Sequence, residues 1–194
     1  MPEHAQDPRR PDTGGLRTPP VEEWDSWPFA GGVTPKTLRA PEPEPDRDGE
    51  GVRPCTACGK GDDQYIWTNE SWRLQHLPPS GLPAVLILEP RVHVDSPRDL
   101  PDDMLAEMGI MLARVERAVL AIEGVERVHI LRYGEGSAHL HWWFMARQTG
   151  LRQTASGFAM IWDDVLPPTS DDVHRANLAT IVAAMSGETR SETA

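Results

Sequence analysis

The clearest periodic pattern in the chain covers residues 104–122, where apolar side chains recur at steps of three and four. This spacing places them on one face of an α-helix. Pro101 suits the first turn, Asp102 and Asp103 complement the positive end of the helix dipole, and Gly124 suits the C-terminal end. The pattern predicts a long amphipathic helix whose methionines are typical of a core face more than of a cofactor site.

Shorter apolar runs predict β-strands around this helix. Residues 84–88 are a continuous aliphatic run near two prolines, as in a central strand. Two pieces at 65–67 and 72–77, separated by a polar turn, predict a hairpin, and residues 128–133 predict a further strand. A shorter helix is expected over residues 171–185. Strands that follow one another around one long helix predict an α+β fold with an antiparallel sheet of about five strands.

The candidate chemistry is concentrated in residues 139–145, which have the sequence His-Leu-His-Trp-Trp-Phe-Met and predict one more strand. Side chains alternate between the two faces of a strand. One face then carries His139, His141, Trp143 and Met145, and the other, apolar face carries Leu140, Trp142, Phe144 and Ala146. We therefore expect Trp142 in the core and Trp143 beside the histidines. Two histidines at this spacing can bind one metal ion or act together on one substrate.

Composition limits the partners and the compartment. The chain has 30 acidic and 19 basic residues and a formal charge of −11, which argues against a general binder of nucleic acids or anionic membranes. No apolar run reaches the roughly 18 residues of a membrane span, and the N-terminus lacks an apolar signal stretch. We expect a cytoplasmic protein. Its two cysteines, Cys55 and Cys58, are spaced as a metal half-site or a redox pair.

The ends of the chain differ from its middle. Residues 1–50 are dense in proline, glycine and charged residues, and such a segment buries too little apolar area to offset the entropy of ordering. We predict a largely disordered or extended arm, with the first 18 residues disordered and the aromatic stretch 21–33 packed on the protein itself in preference to a partner. The folded domain is expected at residues 51–150, followed by a loop and a C-terminal helix in residues 151–194.

The order of these motifs resembles the histidine-triad superfamily of nucleotide hydrolases and transferases, and in particular its zinc-bearing branch. The shared parts are the Cys-x-x-Cys pair, a strand ending in Pro90-Arg91-Val92-His93, the long helix, and His139-Leu140-His141. Together they cover about residues 55–147. The resemblance implies a structural zinc ion in a closed tetrahedral site. Its ligands would be Cys55, Cys58, His93 and His139, with His76 as an alternative to His93.

The resemblance also implies a reaction and a partner. In the family, the histidine that matches His141 attacks a phosphorus atom and forms a covalent nucleotidyl-histidine. The Gly-rich turn before it, with Gly136 and Ser137, would contact the phosphate oxygens. The substrate is then a nucleotide or a related phosphate compound, such as a nucleoside phosphoramidate or a dinucleoside polyphosphate. Because family members dimerise, we also expect a homodimer.

Two departures from the family pattern leave the function open. Trp143 replaces the third histidine and offers one N–H donor but no acid–base group, and Leu77 lies near the place of an acidic residue that holds the ribose. The chain is therefore either a hydrolase or transferase, or a non-catalytic zinc-containing nucleotide-binding or regulatory protein of the same fold. A small zinc-ribbon-like interaction module is a weaker third alternative. His129 is expected to be structural, and His174 to be exposed and without a role.

Overall fold

The structure is a computed structural model that describes residues 21–31, 34, 36, 39–155 and 157–187. The expected disorder of residues 1–18, positions 32 and 33 of the aromatic stretch, and the C-terminal residues after Gly187 lie outside the described residues. In chain order the elements are α1 (Thr56–Gly59), β1 (Trp67–Thr68), β2 (Trp72–His76), β3 (Val85–Pro90), α2 (Asp102–Leu120), β4 (Val125–Leu131), β5 (Trp142–Gln148), α3 (Ala159–Val165) and α4 (Asp171–Ser186).

The five strands form one antiparallel sheet in the order β1-β2-β3-β5-β4. The aliphatic strand β3 lies at its centre, with Leu88 opposite Leu74 of β2 and Leu86 opposite Phe144 of β5. β4 pairs with β5 and closes the sheet on the other side. The predicted α+β fold, with a five-stranded antiparallel sheet, one long helix and a C-terminal helix, is confirmed.

One face of the sheet packs against α2 and α4 and forms the main core. The apolar face of residues 140–146 lies here, as expected from the alternation of side chains, and the methionine stripe of α2 is part of the same core. Each large apolar side chain buried in this way contributes about 1.5–3 kcal/mol. The fully buried residues include Trp72, Leu74, Leu86, Leu88, Val115, Val119, Phe144, Ile181 and Met185.

The other face of the sheet carries a smaller apolar cluster and the candidate site. Leu82, Val85 and Met145 are buried there, and Trp143 and Met160 of α3 pack against them. The N-terminal aromatics extend this layer: the rings of Trp24 and Trp27 lie 5.8 and 5.2 Å from that of Phe158, which precedes α3. This face is only partly covered, since His141 and Trp143 stay half-buried there.

The strand that carries the histidine motif begins later than predicted. β5 starts at Trp142, so both histidines precede the ladder. The reason is that the backbone before the strand bonds elsewhere: the Ala138 N–H donates to the Asp48 carbonyl at 2.8 Å, and the Leu140 N–H donates to the Val94 carbonyl at 2.6 Å. The short helix α3 was not predicted, because its seven residues are too few to show a helical period. Among the described helices, none has both the length and the apolarity to cross a bilayer.

Candidate metal centre and histidine site

Two cysteines and two histidines converge beside the sheet. The Cys58 Sγ lies 3.4 Å from the Nδ1 of His93 and 3.5 Å from the Nδ1 of His139, and the Cys55 Sγ lies 3.5 Å from the same His139 nitrogen. All four ligating atoms lie within 4.8 Å of one another. Bonds of 2.0–2.3 Å to one tetrahedral ion separate a sulfur and a nitrogen ligand by roughly 3.5 Å. The four atoms therefore have the spacing of a tetrahedral S₂N₂ metal site.

The cysteine pair owes its geometry to α1. Cys55 is the N-cap of this one-turn helix, and its sulfur accepts the backbone N–H of Cys58 at 3.4 Å. A single turn of helix brings residues three apart to the same side, so both sulfurs face the histidines. Gly49 packs behind them, and a Cβ at that position would lie 2.8 Å from the Cε1 of His93. Only a residue without a side chain fits at position 49.

The backbone fixes the tautomer of His139. This residue is 2% exposed, and its Nε2 lies 2.8 Å from the Pro90 carbonyl. A carbonyl can only accept, so Nε2 carries the hydrogen and Nδ1 presents its lone pair to the sulfurs. Burial lowers the pKa of His139, and the lowered pKa favours the neutral ring that a metal requires. His93, the exposed fourth member, follows the end of β3.

His76 is not part of this cluster. Its Nδ1 lies 2.9 Å from the Leu77 carbonyl and 3.3 Å from the Nε2 of His174. The alternative that His76 replaces His93 is therefore excluded by the structure. The same contact corrects the expectation for His174, which is buried and only 6% exposed. It lies on α4, where the polar residues around it in the sequence gave no sign of burial.

A buried ion pair supports the cysteine helix from below. The Arg73 Nη2 lies 3.2 Å from the Glu89 Oε1, and both side chains are 5% or less exposed. Arg73 also donates to the Ala57 carbonyl of α1 at 3.1 Å, and the Tyr65 hydroxyl donates to Glu89. Sequence reasoning missed this group. The available signal was a single charged residue within each of two mainly apolar strands, Arg73 in β2 and Glu89 in β3.

His141 uses its ring in the opposite way from His139. Its Nδ1 lies 2.7 Å from the His139 carbonyl, so Nδ1 carries the hydrogen and donates it. The Nε2 then carries the lone pair, and it meets no hydrogen-bond partner in the part of the chain that the structure describes. His141 is half-buried, and its ring centroid lies 6.3 Å from that of Trp143. The arrangement leaves an oriented, unused imidazole nitrogen at the partly open face of the sheet.

The two tryptophans lie on opposite faces, as the sequence predicts. Trp142 packs against the main core, although it is only half-buried, and Trp143 packs against the small cluster of Met145 and Val85. Trp143 is thus not simply the wall of an open pocket. The indole N–H of each tryptophan is buried and meets no acceptor among the described residues. A contact between Trp143 and substrate stays a prediction.

The Gly-rich turn before the histidines is tied to the N-terminal segment. The Gly136 carbonyl accepts the Asp48 N–H at 3.1 Å, and the Ser137 hydroxyl accepts the His139 N–H at 3.2 Å. The expectation that Gly136 and Ser137 contact a phosphate stays a prediction. A surface cavity of about 430 Å³ lies on the outer side of the turn, but its walls are rich in carboxylates and do not include His141. We therefore do not assign the substrate to that cavity.

One further histidine lies on the same face of the sheet. His129 of β4 is opposite Met145 of β5 and is half-buried. Burial, and then the positive charge of Arg147, lower its pKa. Its Nε2 is buried and meets no partner among the described residues. The structural role expected for His129 stays a prediction.

Solved structures with a similar fold include histidine-triad proteins. A hypothetical histidine triad nucleotide-binding protein from Sulfolobus tokodaii is 16% identical, with a TM-score of 0.51 over 71% of this chain and 96% of its own. A histidine triad protein from Bradyrhizobium japonicum is 20% identical, with a TM-score of 0.50 over 65% of this chain and 90% of its own. A histidine triad protein from Marinobacter aquaeolei is 12% identical, with a TM-score of 0.50 over 63% of this chain and 88% of its own.

These identities establish the fold and no more. No protein-family model matches the sequence, and the comparison with curated proteins gives no match. The chain has the histidine-triad fold, as the order of its motifs predicted. Within that fold the chain combines a candidate Cys₂His₂ metal site, which includes the buried His139, with His141 two residues later.

Proposed function

We propose that this protein is a hydrolase or nucleotidyl transferase that cleaves a phosphoramidate or phosphoanhydride bond through a covalent nucleotidyl-histidine on His141. The observation that carries the proposal is the 2.7 Å bond from the His141 Nδ1–H to the His139 carbonyl. It holds the ring in the tautomer whose Nε2 can attack, at the less covered face of the sheet. Neutral imidazole is a suitable nucleophile near pH 7 because its phosphorus adduct stays reactive.

The reaction proceeds in two displacements. The Nε2 lone pair of His141 forms a bond to the α-phosphorus, and the bond from phosphorus to the leaving nitrogen or oxygen breaks with its electron pair. The leaving group takes its proton from solvent, since the indole of Trp143 is no acid. Water or another hydroxyl acceptor then attacks the phosphorus and releases its proton to solvent, and the bond to His141 breaks with its electron pair returning to Nε2. The third histidine of the family motif is replaced by Trp143, so substrates with good leaving groups should react best.

A zinc ion fits the other half of the site. Two thiolates and two imidazole nitrogens suit zinc better than magnesium or calcium, and the spacing of the four ligating atoms fits a tetrahedral ion. Cys55, Cys58, His93 and His139 would hold it. An ion held by four protein ligands has no open position, so it would be structural and would take no part in bond cleavage. It would link α1 to the backbone that carries His141.

Covalent labelling tests the proposal directly. We would incubate the protein with an adenosine phosphoramidate, quench it in base, where phosphohistidine persists, and locate the added mass by tandem mass spectrometry. An adenylyl group on His141 is expected, and His141→Asn should abolish it. His76→Gln, which changes an exposed histidine away from the metal cluster, should label like the unchanged protein. Binding of the probe without an adduct would refute the catalytic proposal.

Restoring the family pattern sharpens the test. If the missing imidazole limits departure of the leaving group, Trp143→His should raise turnover on unactivated phosphoramidates by at least about tenfold, since a placed general acid contributes that much or more. Turnover on activated esters should change little. An equal change on both kinds of substrate would mean that Trp143 acts by contacting the substrate and not through the absent acid.

A second candidate is a nucleotide-binding or regulatory protein without turnover. One observation favours it: Trp143 stands where the family has an acid–base residue, and it packs against Met145. In that case AMP should bind to the unchanged protein and to His141→Asn with similar dissociation constants. Loss of binding in the variant, together with the adduct described above, would favour the enzyme.

We also propose that the protein is a homodimer, following the family resemblance. β4 is an edge strand of the sheet, and an uncovered edge is available for pairing with a second copy. Light scattering at micromolar concentration should give twice the 21.5 kDa of one chain. A mass of one chain would refute the dimer without affecting the labelling experiment.

A further inference from the structure

The short segment from residue 46 to residue 50 belongs to the site, although its composition places it in the N-terminal arm. Asp48 forms a parallel β-bridge with Ser137. Its N–H donates to the Gly136 carbonyl at 3.1 Å, and its carbonyl accepts the Ala138 N–H at 2.8 Å. The segment is therefore paired with the Gly-rich turn that leads into His139 and His141.

The carboxylate of Asp48 reaches in the other direction, to the cysteine helix. It accepts the Thr56 backbone N–H at 3.0 Å and the Thr56 hydroxyl at 2.8 Å. Thr56 is the first residue of α1, between the cysteines. These bonds, led by that from the Thr56 side chain, lower the pKa of the Asp48 carboxyl. The Ser137 hydroxyl lies 3.5 Å from the same carboxylate. One side chain thus contacts the metal-binding helix and the turn.

The residues on both sides of Asp48 each contact one of the two regions that Asp48 joins. Gly49 has φ +82°, and a Cβ there would lie 3.0 Å from the Cβ of Cys55 as well as close to the His93 ring. Arg47 donates to the Gly134 carbonyl at 2.7 Å and to both carboxylate oxygens of Asp95 at 3.0 and 2.9 Å. The segment therefore touches two metal ligands on one side and the first glycine of the turn on the other.

We propose that Asp48 is a positioning residue that couples the metal centre to the Gly-rich turn, so that filling the metal site orders the turn in front of His141. When the two cysteines close around an ion, α1 and Thr56 become fixed. Asp48 is then fixed, and through it Ser137 and the backbone at 136–138. That the ordered turn would then contact a nucleotide phosphate rests on the proposed function. The coupling between the metal site and the turn does not.

Amide hydrogen exchange tests the coupling without any substrate. In the zinc-loaded protein the Ala138 amide should be protected, and removal of zinc by a chelator should speed its exchange at least about tenfold relative to the Leu86 amide in the central strand. In Asp48→Ala the Ala138 amide should exchange quickly even with zinc bound, so the chelator effect should shrink to less than threefold. Asp46→Asn, a neighbouring acidic residue without the Thr56 contact, should behave like the unchanged protein.

Three outcomes would overturn the coupling. The first is a full chelator effect in Asp48→Ala. The second is a rise in Leu86 exchange equal to that of Ala138 in the unchanged protein, which would mean global unfolding. The third is identical exchange in Asp48→Asn and the unchanged protein, since the amide keeps only part of the hydrogen bonding to Thr56. Asp48→Asn also serves if Asp48→Ala fails to fold, and it should give an intermediate chelator effect.

Zinc affinity and kinetics separate this inference from the proposed function. Competition with a chromogenic chelator should show about tenfold weaker zinc binding in Asp48→Ala, as for other partners that hold metal ligands in place. If the enzyme proposal holds, the KM for an adenosine phosphoramidate should rise several-fold while kcat changes less, and Asp48→Glu should restore part of the KM. If no variant forms an adduct while zinc affinity and exchange still respond, the function fails and the coupling stands.

Discussion

His139 and His141 lie two residues apart, and the backbone makes them chemically different. The His139 Nε2–H donates a hydrogen bond to the Pro90 carbonyl, which leaves Nδ1 for the metal cluster. The His141 Nδ1–H donates a hydrogen bond to the His139 carbonyl, which leaves Nε2 free. Identical side chains thus present opposite nitrogens. The comparison teaches that the role of a histidine in such a motif depends on which carbonyl its ring meets.

The regions around the two histidines differ in the same way. The region around the metal cluster is stabilised by several independent groups of contacts: the four candidate ligands, a buried ion pair and the segment at residue 48. The His141 side has an uncommitted ring nitrogen and a small apolar floor. We expect changes on the metal side to affect stability most, and changes on the His141 side to affect chemistry most.

The largest effect should follow from Cys58→Ser. Four-ligand zinc sites contribute their binding free energy to folding, so this change should remove most of the roughly one zinc per chain that elemental analysis should find. The melting temperature should fall by about 10 °C or more, corresponding to several kcal/mol for a chain of this length.

His141→Ala is the matched control for that prediction, since it removes a ring two residues from a ligand without removing a ligand. It should keep its zinc and melt within a few degrees of the unchanged protein. Full metal content in Cys58→Ser would show that the cluster is not a metal site, and the contrast between the two regions would then be lost.

The next largest effect concerns the ion pair beneath α1. Glu89→Gln keeps the shape of the side chain but leaves the buried Arg73 without its counter-charge, and breaking such a pair costs about 3–5 kcal/mol. Urea denaturation should show this loss. The double variant Arg73→Met with Glu89→Met should recover much of it, because two apolar residues leave no charge unpaired. A double variant as unstable as Glu89→Gln would contradict this electrostatic explanation.

The sequence indicated the parts of the site more completely than their connections. The motif order was enough for the histidine-triad fold. The resemblance implied the set Cys55, Cys58, His93 and His139, with His76 as an alternative to His93, and the structure brings the four residues of that set together. The connections of Asp48 and Arg73 depend on contacts across 89 and 16 residues of sequence. No local period reports such contacts. The tautomers of the two histidines likewise depend on carbonyls that tertiary structure supplies.

Local composition also misled in two places. Residues 46–50 resemble a linker because four of the five are charged and the other is glycine. Their hydrogen bonds nevertheless go to the turn and to α1. His174 has polar neighbours in sequence, yet α4 turns it toward β2. In both cases a polar residue is held by a specific partner, and amphipathic patterns record apolar burial only.

A smaller stability effect is expected from the two tryptophans. Trp142→Ala removes a large side chain from the main core and should cost about 3 kcal/mol, near the low end for such changes because the residue is only half-buried. Trp143→Ala should cost less, since its cluster is small, and should alter AMP binding instead. Urea denaturation and titration with AMP check the two parts. Equal destabilisation would mean that the second face is as much a core as the first.

The smallest effect concerns pH and lies away from both regions. His174 is buried beside His76, and burial, followed by the His76 charge, lowers its pKa. The unfolded residue has a pKa of about 6.5, so below that pH the unfolded state binds a proton that the folded state resists. Stability should therefore be complete above about pH 6.5 and fall as the pH is lowered, by at most about 1.4 kcal/mol per pH unit for one group.

His174→Gln isolates this contribution, because the metal ligands titrate equally in both proteins and cancel in the difference. The contact itself explains the direction. The His76 Nδ1–H points to the Leu77 carbonyl and to the His174 Nε2, so a hydrogen on that Nε2 would meet another hydrogen. Asp171, in the same turn of α4, favours the charged form only weakly. Melting curves between pH 7 and pH 5 should show a shallower decline in His174→Gln, and parallel curves would mean that His174 is protonated as easily in the folded protein as in the unfolded chain.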